Sequence, residues 1–186
     1  MDKKILLFGF IGSGKSTLAN SLSNDFKIIE LDQINKNILE PGGLGNKALF
    51  KQIGNSYFNS DNSIKKDMLK QEIFFNKVFK TQIEEILHPL IYQEVQRIIM
   101  NLDRFIIVAP LVKKIIKKIN FNKKVMLTCN SQELIKRVQL RDGLNYEMIE
   151  KIIESQTEDY KSVTPDLMIE NSLDLETQKH IFKNQL

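Results

Sequence analysis

Gly9-Phe10-Ile11-Gly12-Ser13-Gly14-Lys15-Ser16-Thr17 has the spacing G-x-x-x-x-G-K-[ST], in which a glycine-rich backbone wraps around an anion. Before it, Ile5, Leu6, Leu7 and Phe8 form a short apolar run, as in a strand buried on both faces. After it, Leu18, Ala19 and Leu22 recur at helical spacing, so the order is strand, glycine loop, helix. Such a loop turns successive N–H groups onto phosphate oxygens, and a helix starting near Lys15 points its positive end at the same charge. The pattern places Lys15 on the terminal phosphates, the Ser16 hydroxyl on a bridging Mg2+, and Thr17 as a further donor.

The 186 residues suffice for one sizeable core. With 42% hydrophobic and 27% charged residues, the composition is that of a water-soluble globular chain. A net charge of +4 suits anionic small molecules and is too weak to argue for nucleic acid. The single cysteine, Cys129, excludes an internal disulfide and is expected in the core. No apolar run reaches the length of a membrane span. Lys3 and Lys4 precede an apolar stretch, but cleaving it would destroy the phosphate loop, so a cytoplasmic location is expected. With two histidines, His88 and His180, no metal cluster is expected.

Along the chain, Ile28, Ile29 and Leu31 read as a second strand ending at Asp32, followed by a helix from Gln33 to Leu39. Leu44 to Asn101 has helical periodicity, with a polar turn at Asn59–Ser63 and Pro89 expected as the first residue of a helix. Strands are expected at Phe105–Ala109, Val125–Cys129 and Leu167–Ile169. Helices are expected at roughly 111–119, at Gln132–Arg141, from Asn145 to about Tyr160, and from Leu175 to Phe182. Strands alternating with helices predict an α/β fold in three layers, with a parallel sheet covered on both faces.

Asp32, at the end of a strand next to the loop, could accept the proton of an attacking hydroxyl or could cap the following helix. Arg137 and Arg141 share a helix face and could clamp a triphosphate, or they could be solvated, with Glu133 as ion-pair partner. Lys113, Lys114, Lys117, Lys118, Lys123 and Lys124 read as a solvated face rather than an RNA surface, since only Phe121 is interleaved. His88 before Pro89 is expected in an extended conformation, as an N-cap or a ligand contact.

Taken together, several stretches resemble the dephospho-CoA kinase family over nearly the whole chain. Phe8–Thr17 resembles its phosphate loop, and Leu31–Gly42 its Asp-containing segment and following helix. Glu84–Ile91 resembles its Leu-His-Pro segment, Ala109–Leu111 its Pro-Leu-Leu turn, Arg137–Leu144 its lid, and Pro165–Asn171 its closing segment. The resemblance implies a P-loop NTPase fold and a kinase that uses ATP and Mg2+ on the 3′-hydroxyl of dephospho-CoA; the sequence leaves the oligomeric state open, with a monomer favoured. It implies a core of 1–32, 102–136 and 164–186, a helical substrate insertion at about 33–101 and a lid at about 137–163.

Carried over residue by residue, it gives Gly12, Ser13, Gly14, Lys15, Ser16 and Thr17 to the ATP phosphates and Asp32 to the general base. Arg141 with Arg137 would clamp the phosphates, Asn171 would lie near adenine, and Lys66 and His88 would face the acceptor. Three positions depart from the family pattern: Lys66 for arginine, Lys114 for glutamate, and Leu134 for glutamine. A kinase acting on a nucleoside or nucleotide and a non-catalytic nucleotide switch are the alternatives. The guanine-reading Asn-Lys-x-Asp motif is absent, since Asn122-Lys123-Lys124 continues into Val125.

Overall fold

The computed structural model describes residues 3–185. Five strands, β1 (Lys3–Phe8), β2 (Lys27–Glu30), β3 (Arg104–Val108), β4 (Lys123–Thr128) and β5 (Leu167–Glu170), form one sheet in the order β2-β3-β1-β4-β5. Every pairing is parallel, with Ile5 opposite Ile106, Leu7 opposite Val108 and Val125, and Leu127 opposite Ile169. Because strand side chains alternate, these residues fall on one face. There they form a buried layer with Leu18 and Ala19 of α1 (Lys15–Ser21), Leu22 that caps it, and Phe182 of α8 (Leu175–Asn184). Leu6, Phe8, Phe105 and Ile107 occupy the alternate positions and are equally buried. Each such side chain removed from water contributes roughly 2 kcal/mol, so β1 is fixed at the sheet centre with its carboxyl end leading into the glycine loop.

The chain divides into two compact units: the sheet unit, up to Glu30 and from Asn101 onward, and Leu31–Met100. The second unit holds α2 (Leu31–Leu39), α3 (Leu44–Ile53), α4 (Lys66–Phe75) and α5 (Lys77–Ile99), with α5 packed on the other three. The sheet unit also carries α6 (Ser131–Asp142) and α7 (Tyr146–Tyr160), which pack on each other.

Several expectations need correction. The second strand stops at Glu30, so Asp32 lies in the first turn of α2 and does not close a strand. Leu31, Ile34 and Ile38 are buried at helical spacing, which carries the helix back to Leu31. Pro89 is inside α5, so His88 is helical and not extended. Burial of Ile83, Leu87, Ile91 and Val95 on one stripe across the proline offsets its missing N–H. The lysine-rich segment is not an α-helix; it contains one 3-10 turn, Ile115–Lys117. Its Val112 and Lys113 amides are taken by the Asp159 carboxylate of α7.

Candidate active site

The loop after β1 needs a left-handed backbone at Gly14, where φ is +92°. A Cβ there would lie 2.6 Å from the Asn171 amide nitrogen. The space left by the missing side chain is therefore part of the site. Asn171 follows β5 and donates to the Ser13 carbonyl at 2.5 Å, while its own carbonyl accepts from Gln178 of α8 at 3.2 Å. Ser13 is fully buried, and its hydroxyl has no hydrogen-bond partner among the described residues.

Lys15 bends back over the loop, its ammonium donating to the Gly9 and Phe10 carbonyls at 2.8 Å each. The Ser16 hydroxyl donates to the Glu30 carboxylate at 3.0 Å, across the end of β2. Glu30 is thereby a candidate site residue, one hidden from sequence reasoning because the apolar run carries the expected strand on to Asp32. Two oxygens of this kind, a hydroxyl and a carboxylate, match the hard donor set that Mg2+ prefers. No cluster of three acidic, histidine or cysteine residues that could hold a metal exists among the described residues.

An open cleft of about 680 Å³ lies over the loop. Gly12, Gly14 and Thr17 form its floor, Arg137, Leu140 and Arg141 of α6 one wall, and Asn171, Leu173, Leu175 and Gln178 the other. Asn130 caps α6 by accepting from Gln132, and Gly143 ends it in the left-handed conformation. Both arginines thus reach the cleft from one helix face, four residues apart. Arg137 also pairs with Glu133 at 3.1 Å and touches the Cys129 sulfur at 3.7 Å; Arg141 makes two bonds to Asp142. The ion pair to Glu133 and the position over the loop coexist. The Cys129 thiol is half-buried, and burial raises its pKa above the ordinary value, opposed by the Arg137 charge. Leu134, at the position of the family's glutamine, is buried with Val138 and Ile149, and its carbonyl lies under Gly12.

Gly12, Ser13, Gly14, Lys15, Ser16, Thr17, Arg137, Arg141 and Asn171 therefore belong to one neighbourhood of the sheet unit. The remaining predicted residues lie in the helical unit. Asp32 is an exposed carboxylate in the first turn of α2, Lys66 begins α4, and His88 is half-buried in α5, its ring 6.0 Å from Tyr92. Sequence reasoning also missed Gln156 and Tyr160 of α7, buried polar residues bonded to the phosphate loop. Their only sequence signal is that they are four apart on a helix.

A family model described as Dephospho-CoA kinase matches residues 4–177. The dephospho-CoA kinase of Blochmanniella pennsylvanica is 32% identical over 180 residues, covering 92% of this chain and 85% of that protein. That of Yersinia pseudotuberculosis is 30% identical over 174 residues, covering 91% and 84%. Among solved structures, dephospho-CoA kinase from Campylobacter jejuni aligns with a TM-score of 0.61 at 22% identity, over 98% of this chain and 97% of that one. Deoxyadenosine kinase from M. mycoides aligns at 0.55 and 19%, over 98% of each. The structures establish a shared fold, and the match along nearly the whole sequence establishes the kinship: this chain belongs to the dephospho-CoA kinase family.

Proposed function

We propose that the protein transfers the γ-phosphoryl group of ATP to the 3′-hydroxyl of dephospho-CoA, giving CoA and ADP, the last step of CoA synthesis. The observation that carries this reading is the convergence of Arg137 and Arg141 on one cleft floored by the glycine loop, with Lys15 held against that loop's own carbonyls. Three cations and a row of loop amides suit a triphosphate whose charge spreads in the transition state. Family membership supplies the acceptor.

In the reaction, the acceptor oxygen forms a bond to the γ-phosphorus. The bond from that phosphorus to the bridging oxygen breaks, and ADP leaves with the electron pair. Asp32 takes the hydroxyl proton. The Glu30 carboxylate accepts from the Ser16 hydroxyl. Ser16 and Glu30 would hold Mg2+, which supplies charge neutralisation between the β- and γ-phosphates when bound. Lys15 leaves its loop carbonyls for the phosphates, Arg141 with Arg137 neutralises developing charge, and Asn171 supports the nucleotide beside the loop. Lys66 and His88 contact the acceptor, and the lid of about 137–163 excludes water. The chain acts in the cytoplasm on small molecules, not nucleic acid. Support for this is modest net charge, a single cysteine and no helix among the described residues that could cross a membrane.

ADP release, measured across dephospho-CoA, nucleosides and nucleoside monophosphates, tests the reading. Dephospho-CoA should be the preferred acceptor by a wide margin, and Lys15→Ala should abolish turnover. Asp32→Asn should leave the Kd for ATP nearly unchanged and lower kcat by about 10²- to 10⁴-fold. Wild-type kcat in that variant would remove Asp32 as the base, and preference for a nucleoside would reassign the acceptor.

A further inference from the structure

One face of α7 grips the backbone just beyond the carboxyl ends of β1 and β3. Gln156 and Tyr160 are 3% and 8% exposed. The Gln156 side chain accepts from the Ile11 N–H at 2.9 Å and donates to the Pro110 carbonyl at 3.2 Å. The Tyr160 hydroxyl lies 2.6 Å from the Gly9 carbonyl and 2.9 Å from that of Pro110. It carries one proton, so it serves one of them at a time. The phenol ring is held between Phe8 and Phe10, at centroid distances of 5.1 and 5.3 Å.

The Gly9 carbonyl thus has two donors, Tyr160 and the Lys15 ammonium. Under the reading above, on which this inference rests, Lys15 must leave that carbonyl to reach phosphate. A buried carbonyl deprived of its donor would oppose the move by its full desolvation penalty. Here the loss is covered: the Tyr160 proton turns to Gly9, the Gln156 amide keeps the Pro110 carbonyl, and the Phe10 carbonyl, which Lys15 also leaves, keeps the Ser13 N–H at 3.1 Å.

We propose that Tyr160, backed by Gln156, is a positioning residue that holds the Gly9 carbonyl when Lys15 moves to the nucleotide, so that triphosphate binding strands no loop acceptor. Tyr160 touches no reacting atom; it acts through Lys15.

Tyr160→Phe keeps the ring and removes the hydroxyl. In the unliganded variant Lys15 still serves Gly9 and Gln156 still serves Pro110, so the melting temperature should stay within about 2 °C of wild type. The Kd for ATP, read by titration calorimetry, should weaken about 5- to 30-fold. In a Lys15→Met background the hydroxyl matters without nucleotide, so Tyr160→Phe should lower the melting temperature more than in wild type. Gln156→Glu keeps the acceptor for Ile11 and loses the donor to Pro110, and it too should weaken ATP binding. An unchanged Kd in both variants, with equal loss of melting temperature in both Lys15 backgrounds, would make the contacts merely structural and overturn the inference alone. A wild-type protein that failed to bind ATP would overturn the nucleotide reading, and this inference with it.

Discussion

Gly14 has a backbone angle that L side chains rarely adopt, and it faces the Asn171 amide across a gap too narrow for a methyl group. Alanine there would meet two penalties at once. The left-handed backbone costs about 1–2 kcal/mol, and the added carbon pushes Asn171 off the Ser13 carbonyl. Gly14→Ala should lower the melting temperature by about 2–6 °C and weaken ATP binding at least ~10-fold. The second effect separates a site glycine from a structural one. Calorimetry showing wild-type affinity in a destabilised Gly14→Ala protein would mean that the Asn171 contact is not part of the nucleotide seat.

The two walls of the cleft come from α6 and α8, and their positions depend on how those helices begin. At α8, Asp174 accepts from the Thr177 hydroxyl at 2.6 Å and from the Thr177 N–H at 3.0 Å. These bonds, the hydroxyl first, hold its carboxyl below the ordinary carboxylate value. A depressed folded value means that the stabilisation is present above the unfolded pKa and is lost as pH falls through the folded one. Asp174→Ala should therefore melt lower than wild type at pH 7, and the gap should close below about pH 4. A gap of constant size across that range would show that the cap is not the source. The same elements show what sequence can reveal. The five strands were legible because each carries a short apolar run, buried continuously in β1 and β3 and at single or alternate residues in β2, β4 and β5. The phosphate loop was legible because its residues are contiguous. Val112, Ile115 and Ile119 have helical spacing too, yet that segment is largely irregular because Asp159, 46 or more residues away, binds its amides. Pro89 reads as a start signal locally, and only packing of the residues on both sides keeps the helix running through it. Glu30, Gln156 and Tyr160 were illegible for a related reason. Their partners Ser16, Ile11, Gly9 and Pro110 are distant in sequence, and a polar residue on a helix looks solvated until its partner is known.

For the molecule as a whole, the proposed function assigns one substrate to each of the two units, the sheet unit and the helical unit Leu31–Met100. The phosphate loop, α6 and the cleft belong to the first; Asp32, Lys66 and His88 belong to the second. A ligand protects the amides of whatever it orders, so hydrogen exchange can assign each substrate separately. ADP with Mg2+ should slow exchange in the peptides spanning 9–17 and 131–142. At 100 times its Kd it should also stabilise the protein by about 2.7 kcal/mol. Omitting Mg2+ should weaken both effects, since under the proposed function Ser16 and Glu30 would share that ion. Dephospho-CoA added alone should instead slow exchange within 31–100, at the first turns of α2 and α4 and around His88 in α5. If dephospho-CoA protected only the glycine loop and left 31–100 exchanging as in the free protein, the helical unit would not be the acceptor's seat. The base assigned to Asp32 would then have to be sought in the sheet unit, with Glu30 the first carboxylate to test.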